Sequence, residues 1–185
     1  MNKLSLSAIA LLSMLGTAPA FAQDIPVAVA GPMTGGQATF GRQFRDGAEQ
    51  AVADINASGG VLGKKLRLEV GDDACDPKQA RSVAERLSGM GVVVSVGHYC
   101  SSSSIPASDA YLDGGVLQIT PGSTNPLFTD RGMWNTFRTC GRDDQQGGFA
   151  AGYLAKKFKD NTKLGPAGRL DKTVSAVDAG RSNPR

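Results

Sequence analysis

Serines cluster where a buried strand is predicted to end and a helix to begin. The segment Gly97-His98-Tyr99-Cys100 follows a β-branched run, and four consecutive serines at 101–104 open the next helix. The first N–H groups of a helix lack intrahelical acceptors, and the helix dipole makes this end positive. A ligand carboxylate could accept hydrogen bonds from these N–H groups and from a serine hydroxyl. Ordinary capping is the competing interpretation, because serines commonly begin helices.

A second polar loop, Thr120-Pro121-Gly122-Ser123-Thr124-Asn125, follows the next predicted strand. It offers hydroxyls and backbone carbonyls that could accept hydrogen bonds from an ammonium group. An ordinary turn is the competing interpretation of this loop. The carboxyl ends of parallel strands share one edge of a sheet, so a site formed by both loops is favoured over a site in either alone.

The chain contains three cysteines, Cys75, Cys100 and Cys140. The first two each lie just past a predicted strand, and they are 25 residues apart in sequence. We predict a disulfide between these two loops, which we expect to be adjacent, with a stabilisation of roughly 3 kcal/mol. Cys140 then remains as a free thiol. A metal site is disfavoured because His98 is the only histidine and no C-x-x-C is present, so no metal or cofactor is predicted.

A hydrolase is the enzyme hypothesis to test. His98, Ser101 and Asp109 have the residue types of a catalytic triad, but no G-x-S-x-G nucleophile elbow occurs. His98 precedes Ser101 by three positions on a turn, and nothing in the sequence orients its ring as a base. The phosphate-loop pattern is absent as well. We therefore predict a protein that is not an enzyme.

Alternating strands and helices must position these loops. Residues 25–30, 65–70, 92–96, 116–120 and 137–139 are predicted strands, and 42–57, 77–88, 101–113 and 143–158 are predicted helices. This alternation predicts an α/β fold with a doubly wound, mostly parallel sheet covered by helices on both faces. The predicted core positions on the four helices are Phe44, Ala48, Ala51, Val52 and Ile55; Ala80, Val83, Ala84 and Leu87; Ile105 and Leu112; and Phe149, Leu154 and Phe158.

The two ends of the chain differ from its middle. Residues 1–22 have a basic start, an apolar run and a small-x-small cleavage pattern, which predicts a signal peptide removed after Ala22. Lys156–Arg185 contains eight basic and three acidic residues, whereas Asp24–Ala155 carries a net charge of −3. The predicted folded part is therefore slightly acidic, which argues against a nucleic-acid partner. Export places the cysteines in an oxidising compartment.

Several runs together resemble a known family, namely the periplasmic leucine/isoleucine/valine-binding proteins of ABC importers. The runs that carry the resemblance are Gly47–Asn56, Asp72–Ala80, Gly97–His98, Cys100–Ser103, Pro106–Asp109 and Ile119–Pro121. The resemblance covers about residues 24–160. It implies the type I periplasmic binding protein fold, in which two α/β lobes close over an amino acid; this chain would hold only the N-terminal lobe, residues 23–160.

The resemblance also implies roles for individual residues. Ser101 would bind the ligand carboxylate, the Gly122 carbonyl and Thr124 hydroxyl would bind its ammonium, and Phe40 and Tyr99 would line the side-chain pocket. The implied ligand is leucine, isoleucine, valine or a similar amino acid. The implied protein is a periplasmic monomer that delivers this ligand to the membrane subunits of an ABC transporter. The disulfide between Cys75 and Cys100 matches that of the family.

Family members are roughly twice as long as this chain. We therefore expect a truncated protein with weak or no binding, and a disordered or frameshifted tail at residues 161–185. A non-functional fragment and a ligand-sensing domain are the alternative functions, and a periplasmic hydrolase is the most distant one.

Overall fold

Strands and helices alternate throughout the part of the chain that the computed structural model describes, residues 23–157. The strands are β1 Ile25–Gly31, β2 Leu66–Asp72, β3 Val94–Gly97, β4 Leu117–Thr120 and β5 Thr136–Arg138. The helices are α1 Ala38–Ala57, α2 Pro77–Gly89, α3 Ser101–Asp113, α4 Leu127–Asp130 and α5 Asp143–Lys157. The predicted signal peptide (1–22), Phe158 and the predicted tail (161–185) lie outside the described residues.

All five strands form one parallel sheet in the order β2-β1-β3-β4-β5. The chain leaves β1 toward β2 on one side and then returns to add β3 on the other side. The strand order therefore reverses between β1 and β3, and the crevice outside their carboxyl ends is where such sheets bind ligands. The predicted α/β class and the doubly wound, parallel sheet are confirmed.

The best-packed core lies between the sheet and helices α2 and α3. The predicted face of α2 is fully confirmed, since its four apolar residues are buried together with Ala28 and Ala30 of β1. Asp76 caps α2 by accepting a hydrogen bond from the Gln79 N–H at 2.7 Å. At the end of β3, a Cβ atom on Gly97 would lie 1.9 Å from the Ala30 carbonyl oxygen, so only glycine allows β3 to pack this closely on β1.

Helix α1 covers β1 and β2 on the opposite face, and its predicted core face is only partly confirmed. Phe44, Ala48 and Val52 are half-buried, whereas Ala51 and Ile55 are exposed. The cause is that α1 packs on β1 and β2 and has at most marginal contact with the other described helices. The prediction that helices cover both faces therefore holds only for the part of the sheet formed by β1 and β2. Farther along the sheet, Val96 on β3 is 36% exposed and Phe137 on β5 is 51% exposed.

Helices α3 and α5 depart further from the predicted core. The two predicted apolar residues of α3, Ile105 and Leu112, are half-buried. The buried face carries three serines, two alanines and Tyr111 instead. In α5, Leu154 is half-buried but Phe149 is 82% exposed, so its assignment to the core was wrong. The reason is that α5 has at most marginal contact with the other described elements.

The boundaries of the other elements agree within one or two residues with those predicted, with two differences. Helix α1 begins at Ala38, four residues before the predicted start. The short helix α4 was not predicted, and it buries Phe128 beneath the end of β5. No described helix is long and apolar enough to cross a membrane.

Candidate ligand site

The loops at the carboxyl ends of β2 and β3 are joined by the predicted disulfide. Cys75 and Cys100 are bonded, with their Cα atoms 5.6 Å apart. The two loops are not adjacent as predicted, because β1 lies between β2 and β3 in the sheet. The bridge therefore spans the end of β1 and ties together the two loops that flank it. Cys140 is a half-buried free thiol, as predicted.

A buried pair lies beside the disulfide. His98 Nδ1 is 2.5 Å from Asp73 Oδ2, and neither side chain has any exposed surface. The Tyr111 hydroxyl lies 3.3 Å from His98 Nε2 and 3.0 Å from the Ser95 hydroxyl. Burial raises the pKa of Tyr111 above its usual value. His98 is thus a fully satisfied interior residue.

The hydrolase alternative fails on this geometry. The His98 ring is engaged by Asp73 and Tyr111, whereas Asp109 is paired with Arg131 at 2.7 Å. Ser101 Oγ accepts a hydrogen bond from the Asn125 N–H at 3.2 Å instead of contacting a histidine. The structure therefore does not assemble the triad. Within residues 23–157, no group of three or more His, Cys, Asp or Glu side chains could hold a metal ion.

A layer of hydroxyl groups fixes the loop after β4 on the loop after β3. The His98 carbonyl accepts hydrogen bonds from Thr120 at 2.6 Å, Ser104 at 3.2 Å and Ser123 at 3.3 Å. The Ser123 hydroxyl also lies 2.6 Å from that of Ser104, and 3.0 Å from the Tyr99 carbonyl. Ser104 of α3 therefore helps to position the second predicted loop.

The predicted pocket aromatics lie together. The rings of Phe40 and Tyr99 are stacked with centroids 4.6 Å apart, and Phe44 meets Tyr99 edge-on at 5.7 Å. Gly122 lies against the same ring, because a Cβ atom there would be 2.6 Å from Tyr99 Cδ2. Phe40 remains 40% exposed. The structure thus brings Phe40, Tyr99 and Gly122 into one cluster beside the switch point between β1 and β3.

Unpaired polar groups remain beside this cluster. Helix α3 has no side-chain cap, and its first internal bonds run from Ser103 and Ser104 to the Cys100 carbonyl. Within the described residues, no acceptor lies within hydrogen-bonding distance of the Ser101 and Ser102 N–H groups. The Gly122 carbonyl and the Thr124 hydroxyl have no partner there either. Donors and acceptors are therefore both available along one edge of the sheet.

Asp72, the last residue of β2, anchors the loop that follows β1. Its Oδ1 accepts hydrogen bonds from the N–H groups of Met33 at 2.9 Å, Thr34 at 3.2 Å and Ala74 at 3.0 Å. Its Oδ2 accepts from the Thr34 hydroxyl at 2.6 Å. Burial opposes ionisation of this carboxyl, but the hydrogen bonds from Thr34, Ala74 and Met33 outweigh it and lower the pKa. An ionised Asp72 thus holds the loop that leads to Phe40.

Sequence reasoning missed Phe44 and Arg138 as part of this region. Phe44 was assigned to the helix core, and only its edge-on contact with Tyr99 places it here. Arg138 ends β5, and its guanidinium donates to the Ser123 carbonyl at 2.9 Å and the Asn125 carbonyl at 2.8 Å. The sequence did contain a signal for Arg138, because it lies at the carboxyl end of a predicted strand. The loops after the other strands lie along the same edge of the sheet.

Comparison with known proteins agrees with this arrangement. Residues 24–168 match the family model described as periplasmic binding protein. The chain belongs to this family. It is 53% identical over 151 residues to the Leu/Ile/Val-binding protein homolog 2 of Brucella abortus, which covers 82% of this chain and 40% of that relative. It is also 53% identical over 140 residues to the Leu/Ile/Val-binding protein of Escherichia coli, covering 76% of this chain and 38% of that one.

A solved structure shows the same fold. The branched-chain amino acid transporter substrate-binding protein of Streptococcus pneumoniae, in complex with isoleucine, superposes with a TM-score of 0.69 at 28% identity. The match covers 74% of this chain and 39% of that one. The resemblance inferred from the sequence and the type I periplasmic binding protein fold are both confirmed. This chain spans about two fifths of the length of these relatives.

Proposed function

We propose that the described lobe forms one wall of an amino-acid-binding cleft, in the substrate-binding component of a branched-chain amino acid ABC importer. The observation that supports this most is the set of unpaired groups at one sheet edge. Ser101 and Ser102 supply two unpaired N–H donors at the start of α3. The loop after β4 supplies an unpaired carbonyl at Gly122 and an unpaired hydroxyl at Thr124. An amino acid has an anionic carboxylate and a cationic ammonium on one carbon, and these groups complement that set.

Each end of the ligand has a partner in this proposal. The carboxylate accepts from the Ser101 hydroxyl and the first N–H groups of α3, where the helix dipole favours an anion. The ammonium donates to the Gly122 carbonyl and the Thr124 hydroxyl. The stacked rings of Phe40 and Tyr99 supply apolar surface for a branched side chain. The chemistry is binding alone, so no enzymatic step and no cofactor are proposed.

The relatives' names support the wider context of this proposal. They are Leu/Ile/Val-binding proteins, and the superposed structure holds isoleucine. We propose a periplasmic location after cleavage of a signal peptide at residues 1–22, followed by the lobe at 23–160 and a tail at 161–185. A monomer would then deliver its ligand to ABC transporter membrane subunits. The slightly acidic lobe is not proposed to bind nucleic acid.

Affinity is the first property to measure. The described groups form one wall of the proposed cleft, whereas high-affinity sites bury most of the ligand surface. We therefore expect a dissociation constant of about 1 mM for the exported chain. The chain would be purified after export, labelled with ¹⁵N and titrated with L-leucine, L-isoleucine and L-valine. Shifts should be confined to residues 99–102 and 122–125. If no shift appears, the alternative of a non-functional fragment is favoured.

A matched pair of serine variants tests the carboxylate partner. Ser101→Ala should weaken leucine binding by about tenfold, because it removes a hydrogen bond to a charged group. Ser102→Ala is the control, since Ser102 is exposed and its backbone N–H is retained; binding should change by less than about twofold. Equal loss in both variants would argue against the proposed role of Ser101.

A further inference from the structure

Arg138 has an unusual position for a charged side chain. It is the last residue of β5 and is half-buried, and its guanidinium carbon lies 5.5 Å from the centre of the buried Phe128 ring. One guanidinium nitrogen donates to the Ser123 carbonyl at 2.9 Å. The other donates to the Asn125 carbonyl at 2.8 Å and the Thr129 hydroxyl at 3.0 Å. The two nitrogens of a planar fork therefore hold alternate carbonyls of one loop.

The other carbonyls of this loop can be assigned in turn. The Thr124 carbonyl accepts from the Asp143 N–H at 3.0 Å, and the Asn125 carbonyl also accepts from Phe128 at 3.2 Å. The Ser123 carbonyl accepts from the Cys140 thiol at 3.4 Å in addition to Arg138. From Gly122 to Asn125, only the Gly122 carbonyl has no donor within the described part of the chain.

We propose that Arg138 is a positioning residue for the ammonium end of the ligand. By holding the carbonyls of Ser123 and Asn125, it keeps them turned away from the ligand and leaves the Gly122 carbonyl free to accept. The two terminal nitrogens of Arg138 are occupied by these carbonyl and hydroxyl acceptors, so in this proposal they do not bind the ligand carboxylate. This inference rests on the proposed amino-acid site and adds a residue outside the set that contacts the ligand.

Binding of three ligands can show whether Arg138 acts on the ammonium end of the ligand or only stabilises the fold. L-leucine has both charged ends, 4-methylpentanoate lacks the ammonium, and 3-methylbutylamine lacks the carboxylate. Arg138→Met should weaken L-leucine and 3-methylbutylamine by about tenfold, the loss expected for one or two charge-assisted hydrogen bonds. Binding of 4-methylpentanoate should stay within about twofold. Dissociation constants would come from ¹⁵N NMR titration of the full exported chain.

Two further variants guard against a folding artefact. Arg138→Lys retains a charge but not the fork, so its losses should be intermediate and confined to the same two ligands. Arg131→Met is the matched control, because Arg131 is half-buried but donates to Asp109 at 2.7 Å and to the Ile105 carbonyl at 3.1 Å, away from this loop. It should leave the relative affinities of the three ligands unchanged.

The outcomes separate this inference from the proposed function. If the unaltered chain binds leucine but Arg138→Met weakens all three ligands equally, or none, Arg138 has no role specific to the ammonium and the inference is overturned. If the unaltered chain responds to no ligand, the non-functional fragment is favoured over the proposed function, and the proposed role of Arg138 is overturned as well. Selective loss of the two ammonium ligands supports both.

Discussion

His98 Nδ1 and Asp73 Oδ2 lie 2.5 Å apart in the interior, and each residue precedes a disulfide-bonded cysteine by two positions. The two loops that flank β1 are therefore joined twice, once by a covalent bond and once by a buried polar pair. The Cys75 N–H donates to the other oxygen of Asp73 at 2.8 Å, which couples the two links. The loop after β3 carries one partner of each link, and the loop after β4 is hydrogen-bonded to it through the His98 carbonyl.

Removing one partner of the pair should destabilise the lobe strongly. His98→Gln or Asp73→Ala leaves the other buried group without its partner, and we expect a loss of about 3 kcal/mol in the free energy of unfolding. Urea denaturation followed by circular dichroism measures this loss. Asp113→Ala, at an exposed end of α3, is the control and should change stability by less than about 0.5 kcal/mol. A similarly small effect in the His98 variant would show that the pair is not stabilising.

The disulfide should contribute about 3 kcal/mol, because it closes a loop of 25 residues in the unfolded chain. Replacing both Cys75 and Cys100 by serine should lower the urea midpoint and make it insensitive to reductant. Cys140→Ser should retain the midpoint and the sensitivity of the unaltered chain, since its thiol makes only one weak hydrogen bond. Equal stability with and without reductant in the unaltered chain would contradict the prediction.

Asp72 should make stability depend on pH on the acidic side. Its pKa is lowered from 3.8 in the folded state, so the folded protein binds fewer protons than the unfolded chain. The stability it contributes is complete above this value and is lost as the pH falls through the lower folded pKa. Comparing unfolding free energies of Asp72→Asn and the unaltered chain between about pH 7 and pH 2 measures this.

The difference between the Asp72 variant and the unaltered chain should shrink toward acid pH. Asp46→Asn, at an exposed position of α1, provides the control for the removal of one surface carboxylate. A difference between the Asp72 variant and the unaltered chain that is constant over the whole range would mean that hydrogen bonding to the ionised carboxylate is not its source.

Gly122→Ala should damage the site without a change of charge. The new Cβ would lie 2.6 Å from Tyr99 Cδ2 and 3.3 Å from the Tyr99 carbonyl, so the ring must move out of its stack with Phe40. We expect a loss of about 1 to 3 kcal/mol in unfolding free energy and weaker leucine binding by NMR titration. Gly47→Ala, where no atom lies within 4 Å, should instead stabilise α1 by about 0.5 to 1 kcal/mol. Unchanged leucine binding by Gly122→Ala would contradict the placement of the ligand.

Local patterns were sufficient for most elements of the fold. The face of α2 is buried as predicted, and the bounds of α3 agree residue for residue, because periodic burial and turn residues act over a few positions. The runs around Asp72, Cys100 and Ile119 also identified the family. Where prediction failed, as at Phe149 and Ile55, the sequence pattern was apolar but the side chain remains exposed. Burial depends on a partner surface, which periodicity within one helix does not specify.

The sequence by itself determined the alternation of strands and helices, the polar loops at one sheet edge and the cysteines that pair. Only the tertiary structure decided that β1 lies between β2 and β3, that His98 pairs with Asp73, and that Arg138 holds the loop around Ser123. Each of these relations joins segments that are distant in sequence: the His98–Asp73 pair spans 25 positions and the Arg138–Ser123 contact spans 15. Strand order and side-chain packing set such distances, and neither leaves a periodic signal along the chain.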